Sequence, residues 1–192
     1  WEHLWIAIIQ MQRMSMSGMG FTGSDIGGFA EQPSGELYAR WIQLGVFHPF
    51  CRTHSSGDHG EQEPWSFGEE VIDITRKFIE LRYQLLPYLY TMFWQYVNEG
   101  VPMLKPLVYY DQDDFQTHYR TDEFIFGNQI LVCPILEPNA LGRRMYLPQG
   151  NWYNFWTNEV IEGKKELWVN TQFDEIPIFV KEGAIIPKYP VQ

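Results

Sequence analysis

The chain has 192 residues, of which 24 are acidic and 14 basic, giving a formal net charge of −10; 45% are hydrophobic and 17% aromatic. This composition is too apolar and too aromatic for a disordered chain. The negative charge argues against a nucleic-acid-binding surface, and no run of about 18 apolar residues is present that could span a membrane. The two cysteines, Cys51 and Cys133, cannot form a disulfide framework and are interpreted as buried thiols.

The first residues read as the middle of a regular element. Trp1-Glu2-His3-Leu4 contains neither an initiator Met nor a charged region followed by an apolar signal segment. We therefore expect the chain to be part of a longer polypeptide. Leu4, Ile8 and Met11 recur at helical spacing, which predicts a helix over residues 1–16.

Two short apolar runs alternate with a second helix. A strand is predicted over residues 21–24, followed by a break at Asp25-Ile26-Gly27-Gly28-Phe29. Ser34 has the position of an N-cap for a helix that ends near residue 44. Residues 46–52 form the second apolar run. Such alternation predicts parallel strands with helices packed outside them.

The longest predicted helix runs from Glu69 to about residue 96. Ser66 and Glu69 have the spacing of a capping box. Pro87 is predicted to kink the helix, because proline removes one backbone donor and crowds the preceding turn.

The pattern changes at Gly100, beyond which short segments rich in β-branched and aromatic residues alternate with turn residues. These segments predict strands over residues 124–126, 129–135, 144–147, 152–156, 166–169 and 176–180. We infer a domain boundary near residue 100, with an α/β unit over residues 1–99 and an all-β unit over residues 100–192.

Polar side chains follow both apolar runs of the α/β unit. In parallel α/β folds the chemistry lies at the carboxyl ends of the strands, where Asp25, Arg52 and His54 are expected. Arg52 and His54 are two residues apart, so in a strand both would point to one face. These residues could bind a polar ligand. Alternatively, Asp25 could bond its own turn, while Arg52 pairs with a structural acid and His54 lies in the core.

Two other interpretations use neighbouring residues. A metal site could draw on five potential ligands, although their spacing matches no common zinc pattern: His48, Cys51, His54, Asp58 and His59. A carbohydrate could stack on aromatic faces, although core packing is the more common role for each of these rings: Phe29, Trp41, Trp65, Trp152 and Trp156.

A family resemblance extends over nearly the whole chain. In the α/β unit it is carried by Gly23-Ser24-Asp25-Ile26-Gly27-Gly28-Phe29, Glu36-Leu37-Tyr38-Ala39-Arg40-Trp41-Ile42-Gln43-Leu44-Gly45, His48-Pro49-Phe50-Cys51-Arg52-Thr53-His54, Pro64-Trp65-Ser66-Phe67-Gly68-Glu69-Glu70 and Leu81-Arg82-Tyr83-Gln84-Leu85-Leu86-Pro87-Tyr88-Leu89-Tyr90. In the β unit it is carried by Asp122-Glu123-Phe124-Ile125-Phe126-Gly127, Leu147-Pro148-Gln149-Gly150-Asn151-Trp152-Tyr153 and Ile176-Pro177-Ile178-Phe179-Val180-Lys181-Glu182-Gly183. In these segments the chain resembles glycoside hydrolase family 31, the retaining α-glucosidase and α-xylosidase family.

The resemblance implies a fold in two parts. Residues 1–99 would be the last strands and helices of a (β/α)₈ TIM barrel, with its seventh strand near Phe21 and its eighth near His48. Residues 100–192 would be the proximal C-terminal antiparallel β-sandwich domain.

The resemblance also implies a mechanism that retains configuration through a covalent glycosyl-enzyme. Retaining enzymes of this kind use two carboxylates, a nucleophile and an acid/base, about 5–5.5 Å apart. In family 31 both are aspartates, one on an earlier barrel strand and the other just before a tryptophan that matches Trp1. Both catalytic aspartates are therefore expected upstream of this chain.

The resemblance assigns Asp25, Phe29, Arg52 and His54 to the wall of the −1 subsite, which holds the terminal sugar. It implies no metal and no organic cofactor. The expected partners are an α-linked oligosaccharide or glucoside substrate and the rest of the parent polypeptide. The expected activity is that of an exo-acting α-glucosidase; an α-xylosidase and a non-catalytic carbohydrate-binding relative are the alternatives.

Overall fold

Helices dominate the chain up to Glu99 and strands dominate after it, in a computed structural model that describes residues 1–57 and 59–190. The helices are α1 (Glu2–Met16), α2 (Gly35–Gly45), α3 (Glu69–Gln84), α4 (Leu86–Glu99) and the single turn α5 (Leu107–Tyr110). The strands are β1 (Asp25–Ile26), β2 (Arg52–Thr53), β3 (Leu104–Lys105), β4 (Phe124–Phe126), β5 (Ile130–Val132), β6 (Gly142–Leu147), β7 (Asn151–Asn154), β8 (Val160–Glu162), β9 (Lys165–Asn170) and β10 (Ile178–Lys181). Two 3₁₀ turns lie at Pro64–Phe67 and Phe115–Thr117. Across the described ranges, every helix is too short or too polar to cross a membrane.

The first two helices follow the sequence pattern. Leu4, Ile8 and Met11 lie in the core on one face of α1. The Ser34 hydroxyl accepts a hydrogen bond from the Leu37 N–H at 3.2 Å, so the predicted N-cap of α2 is confirmed.

The predicted long helix is two helices. Leu85 separates α3 from α4, and Pro87 lies in the first turn of α4, where its missing N–H costs no helical hydrogen bond. The predicted capping box is wrong: Ser66 belongs to the 3₁₀ turn, its hydroxyl donates to Glu61 Oε2 at 3.0 Å, and Gly68 precedes α3 instead.

The two barrel strands lie a few residues later than predicted. Residues 21–24 and 46–50 are irregular, and the paired strands are β1 and β2. Residues 46–50 do not form an extended strand because the Val46 N–H still donates to the Ile42 carbonyl of α2. The Arg82 guanidinium also binds backbone carbonyls of this run, which keeps it from forming a strand ladder.

The β part consists of two antiparallel sheets. One is six-stranded, in the order β3-β4-β5-β10-β7-β8, and β6 pairs with β9 in the other. All six predicted strands are present, β4 with the predicted ends and the other five with shifted ends. The sequence missed β3 and β8, which are only two and three residues long. The predicted fold class, α/β followed by an antiparallel β-sandwich, is confirmed; the boundary at residue 100 stays a prediction.

Strands β4 and β5 of the six-stranded sheet are buried on both faces, and neighbouring side chains along each strand point to opposite faces. Phe124 and Phe126 of β4 pack towards the helices, where the Phe126 ring meets Phe47 edge-on at 5.5 Å. Ile125 points the other way and packs with Met145 of β6. The six-stranded sheet thus lies between the helices on one face and the β6–β9 sheet on the other, with an apolar layer on each side.

A buried carboxylate lies next to β4. The Tyr146 N–H donates to both oxygens of Glu123, at 3.1 and 3.2 Å, and this side chain is fully buried. Arg143 and Arg120 approach the carboxylate at 3.9 and 4.0 Å. Burial raises the pKa of Glu123 to about 7, against the opposing effect of Arg143.

This carboxyl predicts a pH dependence of stability. Its folded pKa lies above its ordinary value of 4.5, so the folded state binds the proton more tightly. Stability from this group is present below pH 4.5 and is lost as the pH rises through 7, by on the order of 3 kcal/mol. We expect Glu123→Gln to remove this contribution to the pH dependence of stability. In a series of thermal melts, the melting temperature of the variant should then change less with pH than that of the unchanged protein. Equal pH profiles for both proteins would contradict the prediction.

Candidate functional site

The candidate site forms where β1 and β2 lie side by side. The strands are parallel, with Asp25 opposite Arg52, and the Phe50 N–H donates to the Thr22 carbonyl at 3.0 Å just before the pair. Gly23 makes this close approach possible, because a Cβ on it would lie 1.7 Å from the Phe50 carbonyl oxygen. The backbones of the two segments therefore pack directly against each other.

Asp25 and Arg52 form an ion pair across the strands. Arg52 Nε and Nη2 each lie 3.1 Å from Asp25 Oδ1. The Arg52 side chain is 47% exposed and that of Asp25 is 23% exposed, and the guanidinium lies over the Phe50 ring. Asp25 therefore does not bond its own turn through its side chain, and Arg52 is not a buried structural arginine.

Phe29 and His54 form a second pair at the carboxyl ends of the same strands. Their ring centroids are 5.5 Å apart, and both side chains are exposed. His54 lies just beyond the end of β2, so the alternation of side chains along a strand does not determine which way its ring points. The Ser56 N–H, which donates to the Phe29 carbonyl at 2.8 Å, ties the two loops together.

The loop after β1 turns through two glycines. Gly27 and Gly28 have φ values of +89° and +92°, which side-chain-bearing residues rarely adopt. The Gly28 N–H donates to the Asp25 carbonyl, and the buried Gln62 amide donates to the Gly28 carbonyl at 3.0 Å. Gln62 was missed in the sequence, since nothing in its surroundings marks it as an anchor.

A cavity of about 520 Å³ lies beside His54, with Thr53, Trp65 and Tyr38 among its lining residues. Trp65 is 70% exposed, so its ring is available to a ligand. Burial raises the pKa of Tyr38 to about 12, which keeps this phenol neutral.

Of the other aromatic candidates, Trp41 and Trp152 are buried in the core. Trp156 is half-buried and packs edge-on against Phe78. These three rings therefore have packing roles.

Two residues support the site from behind. In the sequence, His48 was considered only as a metal ligand and Arg82 was not singled out. His48 is fully buried, and its Nδ1 accepts the Ser24 N–H at 3.3 Å. Arg82 reaches from α3 to the turn before β2. The sequence of α3 carries several charged residues, and no local pattern distinguishes Arg82 from them.

The metal interpretation gains no support from side-chain positions. Over residues 1–57 and 59–190, no three His, Cys, Asp or Glu side chains cluster as metal ligands. Asp58, one of the five candidate ligands, lies outside the described residues.

Known proteins similar to this chain include alpha-glucosidases and a dextranase. Alpha-glucosidase 2 of Bacillus thermoamyloliquefaciens is 41% identical over 186 residues, covering 97% of this chain and 24% of that protein. Neutral alpha-glucosidase AB of Sus scrofa is 37% identical over 191 residues, covering 98% and 20% respectively. The structure of a Flavobacterium johnsoniae GH31 dextranase complexed with glucose superposes with a TM-score of 0.89 at 35% identity, covering 98% of this chain and 24% of that one. The chain thus spans about a fifth to a quarter of the length of these relatives.

Two family models match along the chain. Residues 1–92 match the glycosyl hydrolases family 31 TIM-barrel domain, and residues 100–186 match the glycosyl hydrolase family 31 C-terminal domain. The chain therefore belongs to glycosyl hydrolase family 31.

Proposed function

We propose that this chain is part of a retaining, exo-acting α-glucosidase and forms the wall of its −1 subsite. The observation that carries the proposal is the grouping of Asp25 with Arg52 and of Phe29 with His54 at the carboxyl ends of two parallel strands. In barrel enzymes this end of the strands holds the active site. The relatives named alpha-glucosidase and the glucose complex of the dextranase support a sugar ligand.

The four side chains suit a neutral sugar at the non-reducing end of an α-linked oligosaccharide. The Asp25 carboxylate, held by Arg52 through Oδ1, accepts hydrogen bonds from ring hydroxyls through its other oxygen. His54 donates to or accepts from a neighbouring hydroxyl, and the Phe29 ring covers an apolar face of the sugar. Hydroxyl contacts at this position strengthen in the oxocarbenium-like transition state, so they support rate as well as binding.

In this proposal the two catalytic aspartates belong to the rest of the parent polypeptide. One attacks the anomeric carbon to form the glycosyl-enzyme, and the other protonates the leaving oxygen and then activates water. The short span of the chain relative to its relatives supports a contribution from further polypeptide. The residues described above orient the sugar for that chemistry.

A substrate screen of the parent protein tests the proposal. We expect hydrolysis of p-nitrophenyl α-glucoside and of α-linked glucose disaccharides, with α-glucose as the first product. A preference for α-xylosides would support the xylosidase alternative instead. Sugar binding without turnover would support a non-catalytic relative. The 192-residue chain alone is expected to show no hydrolysis.

A further inference from the structure

Arg82 binds the turn that leads into β2. Its Nη1 donates to the carbonyl oxygens of Val46 and His48, at 2.6 and 2.7 Å, and its Nη2 donates to that of Pro49, at 3.0 Å. The rigid donor fork of a guanidinium suits several acceptors at once, whereas an ammonium is a single point charge. Arg82 therefore fixes the backbone up to three residues before Arg52.

His48 transmits this position to β1. Its buried Nδ1 accepts the N–H of Ser24, the residue directly before Asp25. Burial, and to a smaller extent the Arg82 cation, lowers the pKa of His48 to about 3, so the ring is neutral and Nδ1 remains an acceptor. The indole N–H of Trp41 donates to the Ser24 hydroxyl at 3.0 Å, which holds Ser24 from a second direction.

These contacts end at Pro49, three residues before Arg52, and at Ser24, directly before Asp25, so they hold the segments that lead to both members of the ion pair. Direct pairing between β1 and β2 covers only two residues on each strand, so it fixes the register weakly. We propose that Arg82, acting through His48, is a positioning residue that keeps Asp25 opposite Arg52 for binding of the terminal sugar. This inference rests on the proposed function, and Arg82 itself does not touch the sugar.

Variants of the parent protein test the inference. Arg82→Met keeps the apolar stem and removes all three hydrogen bonds, and Arg82→Lys restores the charge without the fork. The matched control is Arg40→Met: Arg40 is a buried arginine on α2 whose Nη1 donates to the carbonyls of Phe173 and Glu175, outside the candidate site. Melting temperature and kcat/KM for an α-glucoside are measured for all three.

We expect Arg82→Met to lower kcat/KM by about 30-fold, in keeping with the cost of misplacing a binding group by about 1 Å. Arg82→Lys should show an intermediate loss. Arg40→Met should lower the melting temperature comparably but keep kcat/KM within about twofold of the unchanged protein. Arg82→Met with kcat/KM within about twofold, or an equal loss in Arg40→Met, would overturn the inference.

A crystal structure of the Arg82→Met protein supplies a readout independent of activity. The expected result is loss of the Asp25–Arg52 contact, with the atoms now 3.1 Å apart separated beyond hydrogen-bond distance. An unchanged contact would overturn the inference. If the unchanged parent hydrolyses no α-glucoside, the proposed function fails while this distance still decides the role of Arg82.

Discussion

Replacing His54 by alanine in the parent protein is expected to lower kcat/KM for p-nitrophenyl α-glucoside by about 30- to 1000-fold, equivalent to about 2–4 kcal/mol. His54 is exposed beside Phe29 and lines the neighbouring cavity, so its loss removes a hydrogen bond to the sugar and little packing. The melting temperature should stay nearly constant, which separates a binding role from a structural one.

His118→Ala is the matched control for this prediction. His118 is also exposed, its ring contacts Phe115, and its Nε2 lies 2.8 Å from the Gln112 carbonyl oxygen in the β part. It should retain kcat/KM within about twofold of the unchanged protein. Near-normal kinetics in His54→Ala, or a similar loss in His118→Ala, would refute the assignment of His54 to the subsite.

Replacing Gly23 by alanine is expected to produce the largest combined loss of stability and activity. The new Cβ would lie 1.7 Å from the Phe50 carbonyl oxygen, and a backbone atom cannot move aside as a flexible side chain can. The segments before β1 and β2 must therefore separate. We expect the apparent melting temperature to fall by at least about 5 °C and kcat/KM to fall by about 100-fold.

Gly57→Ala controls for the general effect of removing a glycine. A Cβ at Gly57 would meet none of the described atoms within 4 Å, and its φ is not positive. This variant should change the melting temperature by no more than about 1 °C. A Gly23→Ala protein as stable as Gly57→Ala would show that the two strands are less closely packed than described.

The helices and sheets were largely predictable because their patterns are local. The spacing of apolar residues gave α1, Ser34 marked the start of α2, and alternating short apolar segments gave most of the β part. The misplaced barrel strands show where this fails, because a residue distant in sequence decides the local structure there. Arg82 binds the carbonyls of Val46, His48 and Pro49 and so diverts them from strand pairing, and no pattern within that run reveals these contacts.

The candidate site was predictable only in part, for the same reason. The family resemblance pointed to Asp25, Phe29, Arg52 and His54. The structure adds that Asp25 pairs with Arg52 and that Phe29 lies beside His54. The support behind these residues depends on contacts across the fold. Gln62 is an example, since its role as an anchor of the Gly28 loop appears only once the loops are folded together.

The central claim is that the residues at the carboxyl ends of β1 and β2 bind the terminal sugar of an α-glucoside. A crystal structure of the parent protein with bound glucose tests it most directly. The expected result is a glucose whose hydroxyl oxygens lie within about 3.2 Å of Asp25 and His54, with an apolar face against Phe29. Glucose bound in the barrel mouth without contact to these side chains would contradict the claim.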